Sequence, residues 1–123
     1  PATMGLLSNL EDLVLAKCKN LLELPNELGQ CRALVLLDLR NCKRLESLPA
    51  SIGELVNLRS LDLSNCKALT SVPAELGNLP LRELDVSNCL SLEHLPPSLE
   101  KFKFVIGWEF VEKKEVTKKK PEV

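Results

Sequence analysis

Leucines recur along this chain in one pattern that is repeated four times. The four units begin at Leu10, Leu34, Leu58 and Leu81, and each opens with the spacing L-x-x-L-x-L, in which Val86 replaces the last leucine of the fourth unit. Two apolar residues that are separated by one position follow the period of a β-strand, so their side chains point to the same face. Each unit therefore predicts a short strand that buries its leucines on one side.

A proline follows each predicted strand at a fixed distance, at Pro25, Pro49, Pro73 and Pro96. Proline lacks an N–H group and restricts the residue before it, so a regular element ends there. The segments that come next, such as AELGNL from Ala74, predict one or two 3-10 or short helical turns. Because each unit then returns the chain beside its previous strand, the pattern predicts an α/β solenoid with a short parallel sheet on its concave face.

The units also predict how the chain is divided. We expect a partial repeat at 1–9, four full repeats at 10–33, 34–57, 58–80 and 81–103, a C-terminal capping strand at 104–111 and a disordered lysine-rich tail at 112–123. The partial repeat aligns with residues 49–57, so the chain is either cut from a longer solenoid or begins naturally at Met4. Since no polar cap is visible at this end, exposed leucines there would favour end-to-end self-association.

A cysteine stands at the same place in every unit, at Cys18, Cys42, Cys66 and Cys89. With the leucines around it, this residue gives the pattern L-x-x-L-x-L-x-x-C-x-x-L, which is similar to the signature L-x-x-L-x-L-x-x-N/C-x-L, and residues 1–103 resemble the leucine-rich-repeat superfamily. The cysteine in the ladder position and the LPxxIGxL that follows are most similar to repeats of plant intracellular immune receptors and of Ras-group repeat proteins. The resemblance implies a right-handed coil with 3-10 or short helical segments on its convex side.

Composition narrows the class of protein. Apolar residues make up 45% of the sequence, which is typical of a folded chain, and the net charge of −1 gives no reason to expect nucleic-acid binding. The chain has no run of about 18 apolar residues, so we expect no membrane span. An odd number of cysteines and the absence of an Asn-x-Ser/Thr sequon favour a cytoplasmic, intracellular location.

The cysteine column invites a metal or redox interpretation, which its geometry disfavours. Zinc ligands converge at about 2.3 Å from one ion, whereas a ladder rises by one strand spacing at each step. We therefore expect a structural column whose thiols face backbone carbonyls, with no metal and no cofactor. A pair formed by Cys89 and His94, the only histidine, is conceivable, but a buried thiol is inert. We do not expect an enzyme.

The concave sheet surface is the better candidate for function. The positions between and just after the inward leucines are predicted to face solvent, and the candidate partner-binding residues there are Val14, Leu36, Asp38, Arg40, Asn41, Asp62, Asn65, Glu83, Asp85 and Asn88. Stacked aspartates repel one another and would attract a lysine, arginine or amide group of a partner. Alternatively, each aspartate accepts hydrogen bonds from its own neighbours.

The sequence thus predicts a non-catalytic module that binds a polypeptide partner on its concave face. The alternative is a structural solenoid fragment of a longer repeat protein, for example an immune-type receptor, that stacks on further repeats or on itself. A weaker hypothesis is binding of an anionic surface by the tail, which has five lysines against three glutamates.

The C-terminal end departs from the repeat because all four aromatic residues are gathered there. We expect Phe102, Phe104, Ile106, Trp108 and Phe110 to close the core, the last four alternating with Val105, Gly107 and Glu109 as in a strand. The other interpretation of these rings is an aromatic binding patch.

Overall fold

Four short parallel strands form the sheet of this protein, in a computed structural model that describes residues 8–102 and 105–107. The strands are β1 (Asp12–Val14), β2 (Leu36–Asp38), β3 (Ser60–Asp62) and β4 (Glu83–Asp85), and they pair in the order β1-β2-β3-β4. Sequential neighbours are therefore spatial neighbours, and each unit contributes one strand and one turn of coil, which is the architecture predicted from the leucine spacing.

A 3-10 helix follows each strand, and each begins directly after a proline. The helices span Asn26–Gln30, Ala50–Glu54, Ala74–Asn78 and Pro97–Leu99. The proline before each helix has an extended backbone, and its carbonyl oxygen accepts the N–H of the residue three positions later, as in the 3.0 Å bond from Leu28 to Pro25. Proline thus ends the preceding segment and supplies the first acceptor of the next turn.

The core is a stack of leucine layers between the sheet and the 3-10 helices. Leu13, Leu37, Leu61 and Leu84 are register partners on successive strands, and the last three are completely or almost completely buried. The helices stack closely on the opposite side, where a Cβ atom added at Gly77 would lie 2.6 Å from the Ser98 Cβ and 2.8 Å from its carbonyl oxygen. Glycine at this position therefore permits the close approach of consecutive coils.

The turn after each strand has a left-handed residue just before the cysteine. Lys17, Asn41, Asn65 and Asn88 have φ values between 59° and 65°. Asparagine tolerates this conformation better than most residues that carry a Cβ. The N–H groups in this turn bind the next coil, as in the 2.9 Å bond that Asn41 donates to the Ser64 carbonyl, so the turn also fixes the spacing between repeats.

The C-terminal end corrects one of the expectations. Ile106, predicted to point into the core, is 52% exposed, and its neighbour Val105 is buried. The Ile106 N–H donates to the Leu84 carbonyl and Ile106 accepts from Val86, both at 2.8 Å, so Ile106 lies opposite Asp85. The alternating pattern was assigned to the wrong phase because apolar residues occupy both phases of this segment, and the backbone pairing with β4 selects Val105 for the core.

The other end-capping residues divide into two groups. Phe102 is buried, and its N–H donates to the Leu99 carbonyl at 2.9 Å, as Leu79 does to Leu76 one repeat earlier. Phe104, Trp108 and Phe110 lie outside the described residues, as do most of the partial repeat at 1–9 and the whole tail at 112–123. Within the described ranges, no helix is long and apolar enough to cross a membrane.

Candidate binding surface on the concave sheet

One column of side chains crosses the four strands of the sheet at their C-terminal ends. Val14, Asp38, Asp62, Asp85 and Ile106 are consecutive register partners, and we call this set the central column. Its two ends are exposed apolar residues, with Val14 at 60% and Ile106 at 52% exposure. The column therefore presents three carboxylates between two apolar contacts.

Each aspartate of the central column accepts a hydrogen bond from its own strand end. The Oδ1 atoms of Asp38, Asp62 and Asp85 accept the backbone N–H of the residue two positions later, at 3.1, 2.9 and 2.9 Å. Asp62 also accepts the Ser64 hydroxyl at 2.7 Å. These bonds hold the carboxylates in fixed orientations and satisfy N–H groups where the strand ends. One oxygen of each carboxylate thus forms a hydrogen bond within the fold. This agrees with the alternative prediction, in which each aspartate accepts hydrogen bonds from its own neighbours.

The remaining carboxylate oxygens differ along the column. Asp38 Oδ2 pairs with Arg40 Nη2 at 3.2 Å, and Asp38 is only 9% exposed, so this site is less open to solvent than the sequence predicted. The Oδ2 atoms of Asp62 and Asp85 have no ion-pair or hydrogen-bond partner among the described residues. The acidic character that a ligand would meet is therefore concentrated at the third and fourth strands.

The other predicted contact residues lie on both sides of the central column. Glu83 and Asn88 are exposed, while Leu36, Asn41 and Asn65 are half-buried. The three asparagines have a conformational reason to be there, because they adopt the left-handed turn. This role was not predicted from the sequence, although the recurring Asn before Cys indicates it.

The cysteine column lies inside the coil, next to the strands. The thiols of Cys42, Cys66 and Cys89 donate to the carbonyls of Leu15, Leu39 and Leu63 in the preceding coil, at 3.1, 3.1 and 3.0 Å. Burial raises the pKa of the Cys66 thiol to about 12, and it also raises the pKa of Cys42. The three thiols therefore link consecutive coils, and the raised pKa values keep Cys42 and Cys66 protonated at neutral pH.

The first cysteine of the column differs from the others. Cys18 is half-buried, and among the described residues its thiol makes no hydrogen bond to an earlier coil. The fifth cysteine, Cys31, is buried in the core at the position of Leu55, and burial raises its pKa. Within the described part of the chain no disulfide is formed, and no three His, Cys, Asp or Glu side chains are grouped closely enough to hold a metal ion.

The stacked coils, the parallel sheet and the internal thiol ladder define a repeat solenoid whose open surface is the sheet. The Leucine Rich Repeat family model matches residues 33–55, 57–79 and 80–102, which together exceed half of the sequence. The chain belongs to the leucine-rich-repeat family, and the fold predicted from its sequence is confirmed. Domains of this family are typically protein-interaction modules.

Two solved structures are similar to this chain. A leucine-rich-repeat protein of Leptospira interrogans is 34% identical, with a TM-score of 0.62 over 85% of this chain and 32% of the other. The leucine-rich-repeat domain of the type III effector XopL is 28% identical, with a TM-score of 0.73 over 86% of this chain and 37% of the other. The chain thus spans about a third of the length of each. Among curated proteins, no significant match is found.

Proposed function

We propose that this protein is a non-catalytic binding module that holds an extended polypeptide along the central column. A lysine or arginine of the partner would pair with Asp62 and Asp85, and apolar side chains on either side of it would contact Val14 and Ile106. The observation that carries the proposal is the pair of carboxylates whose second oxygens have no partner among the described residues, between two exposed apolar residues.

The energetics favour a basic partner at this position. Adjacent carboxylates on paired strands repel each other, and a cation that bridges them removes that repulsion. Because Asp62 Oδ1 and Asp85 Oδ1 are held by backbone N–H groups, little side-chain freedom would be lost on binding. The apolar ends would add contact area and determine the spacing of side chains in the partner.

The test is a selection of peptides from a random library displayed on phage, with affinities of the selected peptides measured by calorimetry. The double variant Asp62→Asn/Asp85→Asn is the probe of the site. Asparagine keeps an Oδ1 that accepts the same backbone N–H groups, whereas alanine would remove those bonds along with the charge. Glu23→Gln/Glu75→Gln, at two exposed positions away from the sheet, removes the same charge and serves as control.

We expect selected peptides to contain a basic residue flanked by apolar ones and to bind the Asp62→Asn/Asp85→Asn variant at least about tenfold more weakly. The control variant should keep its affinity within about twofold. Equal affinity for both double variants, or selected peptides without basic residues, would rule out the central column as the binding site.

Nucleic acid is not an expected partner, because the chain has a net charge of −1.

A second candidate function is that of a structural fragment that stacks on further repeats or on another copy. It is favoured by Leu13, Leu15 and Leu21, which are only partly buried in the first coil although their equivalents in the next coil are fully buried. Sedimentation at increasing concentration separates the two functions. Self-association that Leu21→Lys abolishes and Ile106→Lys, in the central column, leaves unchanged supports stacking through the first coil. A monomer at all concentrations contradicts self-association.

We also propose a cytoplasmic, intracellular location, which is supported by the odd number of cysteines and by the thiol ladder inside the core. A relationship to plant intracellular immune receptors is part of the same proposal. It is supported by the cysteine that occupies the ladder position in all four repeats.

A further inference from the structure

A groove of about 620 Å³ lies beside the sheet, at the end where the strands begin. Its walls are formed by Glu11, Ala33, Val35, Asn57, Arg59 and Arg82. Glu11, Val35, Arg59 and Arg82 each directly precede a strand, and the backbone N–H of each of the last three donates to the carbonyl of the one before, at 2.7, 2.8 and 2.7 Å. Their side chains therefore lie on consecutive coils, with the two arginines adjacent.

The two arginines have no acidic partner in this groove. Among the described residues the ion pairs join Arg32 to Glu54 and Arg40 to Asp38, and neither Arg59 nor Arg82 takes part in one. The Nε atom of Arg59 is buried and makes no hydrogen bond with the described residues. Two like charges on adjacent strands repel each other, and a buried donor without an acceptor is unfavourable. An anion in the groove would relieve both.

The rest of the groove restricts the kind of anion. Ala33 and Val35 are half-buried and form an apolar wall beside the arginines. Glu11 stands at the other end of the same backbone ladder, where a second negative charge would be repelled. The groove therefore suits one carboxylate with an apolar neighbour better than a polyanion. Arginine pairs with a carboxylate through two parallel N–H···O bonds, which gives this choice a geometric basis.

We propose that this groove is a second binding site, which takes the carboxylate of an aspartate or glutamate in a peptide that has an apolar residue next to it. Arg59 and Arg82 donate to the carboxylate, and the apolar side chain packs on Ala33 and Val35. The site has the opposite charge to the central column and does not depend on peptide binding there.

The test uses the full chain labelled with ¹⁵N, in which the Nε–H signals of the arginines are observed by NMR. The probes are acetyl-Leu-Glu-amide, acetyl-Leu-Gln-amide and inorganic phosphate, each titrated at constant ionic strength. Arg82→Gln removes one exposed donor of the groove, and Arg44→Gln, at another exposed arginine outside it, is the matched control. Arg59→Gln tests the buried donor, and its amide spectrum shows whether the variant is folded.

We expect acetyl-Leu-Glu-amide to shift the Arg59 and Arg82 signals to saturation, with an affinity at least tenfold higher than that of acetyl-Leu-Gln-amide. Arg82→Gln should lower that affinity about tenfold, and Arg44→Gln should leave it unchanged. Equal shifts with the two peptides would overturn the proposal, as would an equal loss in Arg44→Gln. Tighter binding of phosphate than of the glutamate peptide would also overturn it, because the site would then select a phosphoryl group.

Discussion

The first coil and the second coil have almost the same pattern of apolar residues but differ in burial. Leu13 and Leu15 in β1 and just after it are partly buried, whereas Leu37 and Leu39, their counterparts in the second coil, are completely buried. Leu13 and Leu37 are in direct register across the sheet. Burial of a leucine in this fold is therefore not determined by the local sequence alone.

The same difference extends to the hydrogen bonds. Each interior coil donates a cysteine thiol to the coil before it, as Cys42 does to Leu15 and Cys66 to Leu39. The first coil accepts the thiol hydrogen bond of Cys42, whereas within the described residues its own Cys18 donates none. Stability in a stacked array is approximately a sum of repeat terms and neighbour terms. The first coil should accordingly contribute the smaller share.

The largest expected effect on stability comes from replacing one leucine in each of the first two coils. We expect Leu37→Ala to lower the free energy of unfolding by about 3 kcal/mol, because it leaves a cavity in a fully packed layer. Leu13→Ala should cost about half as much, roughly 1.5 kcal/mol, since part of that side chain is already in water. Urea unfolding followed by circular dichroism measures both values.

Val56→Ala, at a side chain that is 57% exposed, is the control and should change stability by less than about 0.5 kcal/mol. Equal losses in the two leucine variants would show that the first coil is as well packed as the second, and would remove the basis of the comparison.

Most of the fold could be predicted from the sequence, because periodic leucines, prolines and cysteines report directly on strands, breaks and repeat length. Which of the two residues Val105 and Ile106 is buried could not be predicted. Val105 and Ile106 are both apolar, so hydrophobicity leaves two alternatives, and only the backbone pairing of Ile106 with Leu84 and Val86 decides between them. Alternation along a chain shows which side chains are buried only when one set is apolar and the other polar. Here the two neighbouring residues are both apolar.

The candidate sites were less accessible to prediction. The sequence places three aspartates in one column, but it does not show that Asp38 pairs with Arg40 while Asp62 Oδ2 and Asp85 Oδ2 lack partners within the described residues. That difference depends on side-chain conformation. The groove of Arg59 and Arg82 was missed because neither arginine belongs to a motif, and only the stacking of coils brings them together.

A smaller effect is expected from the thiols of the interior coils. Cys42 and Cys66 donate to the preceding coil, whereas Cys18 in the first coil makes no such bond among the described residues. Burial raises the pKa of Cys66 from 9.0 to about 12, so the folded state holds this proton more tightly than the unfolded state does. The stability that depends on this proton is complete below pH 9 and declines as the pH rises from 9 towards 12. We expect the urea concentration at the midpoint of unfolding to decrease as the pH is raised from 8 to 10.5.

The variant Cys66→Ser isolates this contribution. Serine keeps a hydroxyl that can donate to the Leu39 carbonyl, but it does not titrate in this range. Its urea midpoint should therefore decline less steeply with pH than that of the wild type, whatever its absolute stability. Identical pH slopes for the two proteins would contradict the role assigned to the buried thiol.

The smallest expected effect comes from the turn that precedes the cysteine, where the two coils again differ by one residue. Lys17 has a φ of 65° and Asn41 a φ of 62°, so a lysine in the first coil adopts a conformation that asparagine tolerates better. Lys17→Asn should raise the free energy of unfolding by about 0.5 kcal/mol, and Asn41→Lys should lower it by a similar or larger amount. Urea unfolding of both variants and of the double exchange gives the three values. If Lys17→Asn has no effect while Asn41→Lys is destabilising, the turn of the first coil opens without loss of the core, and the boundary between weakly and strongly held structure lies at the second strand.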